Sequence, residues 1–475
     1  MSKEMSSVSH SFLKNFTKEN VNQFFSSDNI TQLLSQALIV AFIWATLWSI
    51  EGPNACPPDG HLFHLLVVYI CCHIASELMI LFCLPPVVGI LVTGCLLANI
   101  FTLNLNKQLA TILRDISLVV ILLRVGLELS PNNIFKLYDV CLRLSLIPCI
   151  VETIIVSIIS CFLLDLPFKW SLLLGFLLSA SSPAIIVSNV LPLKNKGFGE
   201  SKSISSMLMA SSCVDNIVTI SGVMMSLRII FNSEMPLVLI LLTTPLEIII
   251  GLFSGILFGL ILWFIPSNTW QLIAKIQRFV LLLMSAITSK FVSKSLDISS
   301  AGPLACVVIA FTAAINWRDS QINETLVKQM DIIWSIFRTL LFALIGTSIK
   351  ISNINFNNTF YGLICLIIAL FVRSVTVIAI IFGANLNFKE KLFISFTWLS
   401  KATVQASLGP MALDFINSDD NYINDRKYAE KVLDLAVLAI IVTAPLSSLL
   451  ISLTGPLLLT TNKSQKSEKT QTNKN

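Results

Sequence analysis

Long apolar stretches, separated by short polar connections, recur along nearly the whole chain of 475 residues. A helix of about 20 apolar residues crosses a hydrocarbon core of roughly 30 Å. The pattern therefore predicts an all-α polytopic membrane protein with about fourteen transmembrane helices. They fall near 33–50, 61–83, 86–103, 111–129, 139–164, 170–193 and 203–231 in the first half. In the second half they fall near 236–265, 273–293, 299–316, 331–350, 358–384, 391–415 and 432–459. An even number of spans places both termini on one side of the membrane.

The polar connections give the orientation. Alternate loops carry Lys194, Lys196 and Lys202, then Lys275 and Arg278, then Arg318 and Lys328, then Lys389 and Lys391. The loops between them hold fewer cations, so the positive-inside bias predicts cytoplasmic termini. Segment 1–32 is polar and has neither an apolar signal core nor an arginine, which argues against a cleaved signal or a mitochondrial transit peptide. The lysine-rich tail 461–475 has the composition of a disordered cytoplasmic segment.

Composition agrees with a membrane protein: 55% of residues are hydrophobic and only 12% charged, about half the charge of a soluble domain. The eleven cysteines, scattered mostly through apolar runs, show no metal-ligand spacing and read as small apolar side chains. No nucleotide-binding motif appears, which argues against ATP-driven transport. An enzyme, a cofactor and a nucleic-acid partner are not expected.

The chain also repeats. "VGLELSPNNI" at 125–134 resembles "IGTSIKISNI" at 345–354, a displacement of 220 residues. "LLLGFLLSASSP" at 172–183 resembles "FISFTWLSKATV" at 393–404, a displacement of 221. In spans the displacement is seven, an odd number, so the copies insert with opposite orientation. Inverted repeats of this kind build secondary transporters, whose sites lie near the midplane at interrupted helices.

Two spans at repeat-related positions carry interruptions. In "SASSPAIIV", Pro183 removes a backbone donor, and Ser181 and Ser182 can satisfy freed carbonyls. In "WLSKATVQAS", Ser400, Lys401 and Thr403 interrupt an apolar run, and Lys401 can neutralise carbonyl ends of broken helices. Glu152 lies one span before the first break and Arg373 one span before the second, so an ion pair across the core is expected. Asp215 lies one span after the first break with no evident cationic partner in the sequence. A mid-membrane carboxylate that binds either a proton or a small hard cation is a minimal exchange device. Arg124 and Glu128 sit near a loop, where a structural role is expected; His73, Glu77, Glu247 and Asp434 are further ionisable residues in apolar spans.

The motifs "LRVGLELSP", "LRLSLIPCIVE", "SSPAIIV", "ASSCVDNIVTISG" and "FISFTWLSKATVQASLGPMALD" resemble the animal sodium/hydrogen exchanger 9B subfamily of the cation:proton antiporter 2 group. The likeness runs from about residue 33 to 460. It implies an inverted-repeat antiporter fold with two broken, crossing helices, working as a homodimer by an elevator-like movement. Dimerisation helices would cover about 61–129 and 273–350, and core helices about 139–231 and 358–459. The implied substrates are Na⁺ or Li⁺ and H⁺, with the cation held transiently at Asp215. Glu152, Arg373 and Lys401 match the family's core charges.

One departure matters. The family carries two adjacent aspartates where this chain has Asp215 and Asn216. A proline before the lysine in relatives is Ser400 here. An amide offers a carbonyl oxygen but neither charge nor titration. The expectation is therefore Na⁺(Li⁺)/H⁺ exchange through Asp215. Two alternatives stand beside it: proton-coupled anion (chloride) transport, and a transport-deficient regulatory homologue. The plasma membrane is the expected location, with endosomal and mitochondrial membranes as alternatives.

Overall fold

A computed structural model of the chain describes residues 27–81, 86–129, 131–231, 236–265, 271–317, 322–348, 356–382, 386–418 and 420–460. The N-terminal segment up to residue 26 and the tail from residue 461 lie outside the described residues. Among the described residues the fold is helical, with no strand.

The first half contains α1 (Ser27–Glu51), α2 (His61–Leu81), α3 (Pro86–Ile100), α4 (Lys107–Glu128) and α5 (Pro131–Leu163). It continues with α6 (Phe168–Ser179), α7 (Pro183–Asn195) and α8 (Ile204–Phe231). The second half contains α9 (Leu237–Phe264), α10 (Gln271–Ser295), α11 (Ala301–Trp317), α12 (Ile322–Thr347) and α13 (Phe356–Ile380). It ends with α14 (Phe388–Thr397), α15 (Thr403–Leu408), α16 (Met411–Ser418) and α17 (Arg426–Leu458). The expected spans overlap helices or interrupted runs of helices, but α1, α4 and the α14–α16 run are not among those long and apolar enough to cross a membrane. Nine runs among the described residues are long and apolar enough to cross a membrane, and α3 and α11 are shorter apolar helices.

The chain divides into two compact units. One comprises 1–111 and 339–351; the other comprises 112–338 and 352–475. Within the first, α3 and the end of α12 approach through glycines: a Cβ on Gly94 would lie 2.8 Å from Ala343 O, and one on Gly346 would lie 2.7 Å from Leu91 O. Small residues replace a hydrophobic driving force where helices meet in lipid.

The second unit holds both interruptions. The helix α6 stops because Pro183 follows: the residue before a proline is pushed out of the helical region, and Ser182 is extended at φ −97°, ψ 107°. Pro183 then opens α7 at the first helical position, where its missing N–H is harmless. The second interruption has no proline; Ala402 breaks the run at φ −162°, ψ −64°. The helix α14 opens with a capping box, Asn387 and Glu390 satisfying each other's backbone N–H groups. Buried Glu390 also accepts from Lys202 Nζ at 2.7 Å and Thr460 Oγ1 at 2.8 Å, tying the start of α14 to the α7–α8 loop and the end of α17.

The two interrupted runs match in position: α6 and α14 start 220 residues apart, and so do α7 and α15. A shared apolar core holds them, built from Trp170, Leu173, Leu174 and Leu177 of α6, Val404 and Leu408 of α15, and Leu435 and Ala436 of α17. Packing between α5 and α6 is close at Gly175, where a Cβ would stand 2.6 Å from both Ser157 Oγ and Thr153 O. We expect Gly175→Val to destabilise the protein by about 1–3 kcal/mol, the usual size of overpacking. A thermal-shift measurement in detergent reads this, with Ile158→Val on the exposed face of α5 expected to melt like the parent.

Candidate functional site

A helix that stops inside a membrane leaves its last carbonyls without partners, and hydrocarbon supplies none. At the end of α6 each of these carbonyls meets a side chain from the second half of the chain. Gln405 Nε2 donates to Leu177 O at 2.9 Å and to Ala180 O at 3.0 Å. Lys401 Nζ donates to Leu178 O, and Arg373 Nη1 donates to Ser179 O. Two cations and an amide thus face the partial negative end of the helix. The second break is closed differently: Arg373 Nε donates to Trp398 O at 2.8 Å, and Thr443 Oγ1 donates to Lys401 O at 3.2 Å.

The breaks also touch each other. Ser182 N donates to Ser400 O at 2.9 Å, and the hydroxyls of Ser182 and Thr403 lie 3.5 Å apart. Ser182 and Thr403 are 221 positions apart, as are Glu152 and Arg373, which form an ion pair. A residue meets its own repeat-mate only near the axis relating the two copies, so this offset marks that axis.

Glu152, Asp215, Arg373 and Lys401 are all fully buried. Glu152 takes Arg373 Nη1 on one oxygen and Lys401 Nζ, at 2.7 Å, on the other. Such charges persist in a dry interior only when paired and hydrogen-bonded. Asp215 projects from α8 to the start of α7, where Ser181 N donates to its Oδ2 at 2.7 Å and Ser181 Oγ donates as well. Backbone N–H groups at a helix start favour an anion. Arg373 Nη2 also reaches Asp215 Oδ2, at 3.3 Å.

Two expectations are corrected here. The sequence offered Asp215 no cationic partner, yet Arg373 provides one, because the fold brings α13 against the first break. Ser181 and Ser182 do not close the freed carbonyls of α6; Arg373, Lys401 and Gln405 do, while Ser181 serves Asp215. Ser400 donates its hydroxyl to Thr397 O at 3.0 Å within its own break.

Asn216 is 2% exposed, and neither its Oδ1 nor its Nδ2 has a partner among the described residues. Asp215 Oδ1 and Gln405 Oε1 are likewise buried and unpartnered there. Nearby hydroxyls of α8 turn inward on their own helix, as Thr219 Oγ1 does to Asp215 O at 2.9 Å. Gln405 was missed from the sequence; its signal was a long amide left in an apolar run just after a helix break.

The remaining ionisable residues fall elsewhere. Arg124 pairs with Asp331, Glu128 with Lys194 at 3.1 Å, and Glu247 with Arg228. His73 stacks on Tyr69 at 5.9 Å between ring centroids. Among the described residues no cluster of His, Cys, Asp and Glu could hold a metal ion.

Comparison with known proteins agrees with this architecture. Residues 62–460 match the family model described as "Sodium/hydrogen exchanger, transmembrane". The human sodium/hydrogen exchanger 9B2 is 35% identical over 90% of this chain and 81% of its own length. The human exchanger 9B1 is 33% identical over 90% of this chain and 84% of its own. In fold the chain is similar to the sodium proton antiporter MjNhaP1 from Methanocaldococcus jannaschii, with a TM-score of 0.67, 17% identity, and 84% and 98% of the two chains covered. Two interrupted helix runs closed by one buried charge network thus coincide with a family match over most of the chain, and the protein belongs to the sodium/hydrogen exchanger family.

Proposed function

We propose that this protein is a secondary active transporter that exchanges Na⁺ or Li⁺ for H⁺ through Asp215. One observation carries the reading. Asp215 Oδ1 and Asn216 Oδ1 are buried oxygens, adjacent in sequence and unpartnered among the described residues, beside a helix break. A small hard cation takes oxygen ligands, and a carboxylate in a dry site holds either that cation or a proton. Glu152 is committed to Arg373 and Lys401, and Asn216 does not titrate. Asp215 holds Arg373 and Ser181 on one oxygen and keeps the other unpartnered among the described residues; in this reading it is the group that alternates, so each cation exchanges for one proton and the cycle moves no net charge.

The finer mechanism in this proposal is elevator-like movement within a homodimer. The residues of the site come from α5, α6–α7, α8, α13 and α14–α15, all within the expected core segments 139–231 and 358–459. A site held by one set of helices can travel with them while segments 61–129 and 273–350 stay at the dimer interface. Cytoplasmic termini and a plasma-membrane location, with endosomal or mitochondrial membranes as alternatives, belong to the same proposal.

The observation favouring a second reading, proton-coupled chloride transport, is charge balance. With Asn216 in place, two carboxylates face two cations, and the site carries no formal excess of negative charge. The third reading, a transport-deficient regulatory homologue, rests on Asn216 alone.

Proteoliposomes with a pH dye separate the three. The expected result is proton flux driven by Na⁺ or Li⁺ gradients, reduced to background in Asp215→Asn and unaffected by an imposed membrane potential. Chloride-dependent flux without a cation requirement would overturn the exchange reading. So would silence with every ion that Asn216→Asp relieves. Glu152→Gln has a different expected signature, because it leaves Lys401 buried with no adjoining carboxylate and Arg373 with Asp215 alone. It should lower stability by about 3–5 kcal/mol, read as a fall in melting temperature, whereas Asp215→Asn should melt close to the parent.

A further inference from the structure

Between α6 and α7 the chain runs through Ala180, Ser181 and Ser182, and all three are fully buried. Ala180 is extended at φ −66°, ψ 128°, and Ser182 at φ −97°, ψ 107°. Ala180 O and Ser181 N belong to one peptide group, whose oxygen and N–H point in opposite directions. The oxygen accepts from Gln405 Nε2 at 3.0 Å, and the N–H donates to Asp215 Oδ2 at 2.7 Å. A single peptide therefore stands between an amide of the second repeat and the candidate exchange group of the first.

Gln405 is 1% exposed, and both its acceptors are carbonyls. A carbonyl cannot donate, so the NH₂ end must face them, and its two hydrogens serve Leu177 O and Ala180 O. A hydroxyl has one hydrogen too few for this task, and an ammonium would bring a third cation to the end of α6. In a dry interior, hydrogen bonds in series polarise one another, so a donor at the peptide oxygen makes the N–H beyond it a stronger donor. The Ser181 N–H bond to Asp215 lies at the short end of the N–H···O range, where charge-assisted bonds fall. Gln405 also fixes how the peptide is turned. Its neighbour is already pinned, since Ser182 N donates to Ser400 O at 2.9 Å. Without Gln405, Ala180 O would be buried and unmet, a costly state. Turning that oxygen towards another donor would carry the Ser181 N–H off the carboxylate.

We infer that Gln405 is a positioning residue for the exchange reaction, acting on Asp215 through the Ala180–Ser181 peptide. It touches neither the carboxylate nor the transported ion. Arg373 holds Asp215 by charge, whereas Gln405 aims and strengthens a backbone donor. The consequence for transport rests on the exchange reading; the coupling between Gln405 and Asp215 does not.

A double-mutant cycle tests the coupling on the full chain in detergent, with melting temperature as the readout. Gln405→Met keeps the length of the side chain and removes both donors. Its cost should be smaller by roughly a third in an Asp215→Asn background, where no carboxylate draws on the peptide. Gly94→Val, an overpacking change in the other compact unit, should cost the same in both backgrounds. Additivity of Gln405→Met with Asp215→Asn would overturn the inference. A second arm measures exchange in proteoliposomes. Gln405→Met should raise KM for Na⁺ and Li⁺ at least about threefold and lower the maximal rate less. An unchanged KM in a transporting parent would also overturn it, leaving Gln405 as a helix closure only. Should Gln405→Met fail to fold, Gln405→Asn, whose amide is one methylene short of the carbonyls, carries the same cycle. A non-additive cycle in a protein that moves no cation would sink the exchange reading and leave this one standing.

Discussion

Closing the carbonyl end of α6 is the constraint on which the rest of the second unit depends. A helix interrupted inside hydrocarbon must find donors within the protein, and here they come from residues more than 190 positions away: Arg373, Lys401 and Gln405. Bringing two cations to that place requires a counter-charge, and Glu152 accepts from both. The third hand of Arg373, its Nη2, then reaches Asp215. Backbone satisfaction, charge pairing and the position of the candidate exchange group are therefore one arrangement.

The arrangement also explains why Asp215 and Asn216 differ though they are neighbours. Residues adjacent on a helix point about 100° apart. Asp215 turns to the start of α7, where Ser181 and Arg373 hold one of its oxygens. Asn216 turns away, and its amide finds no such donors among the described residues. The amide of Asn216 adds no charge there, and it takes no part in the network around Glu152.

Several features were legible along the chain because they depend on local composition. Apolar length marked the helices, and Pro183 marked the first break, since proline acts on its own backbone and on the residue before it. The offset of 220 to 221 residues between faint repeats placed Glu152 opposite Arg373, and the same offset joins Ser182 to Thr403. Other features were not legible. Ser181 and Ser182 read as carbonyl partners because hydroxyls in membrane helices usually bond nearby backbone, yet long side chains from the other repeat occupy those positions. Gln405 looked like one polar residue among many, and only its two carbonyl acceptors reveal its place.

The sequence by itself determined the helical membrane class, the two interruptions, the inverted repeat and the buried charges, because these follow from hydrophobic length, proline chemistry and spacing. Tertiary structure alone decided which charge meets which carbonyl, that Asp215 shares Arg373 with Glu152, and that Gln405 and Asp215 bond opposite ends of one peptide. The physical reason is distance along the chain. Partners separated by 158 to 249 residues leave no periodic trace in either segment; only the packing of whole helices brings them within hydrogen-bonding reach.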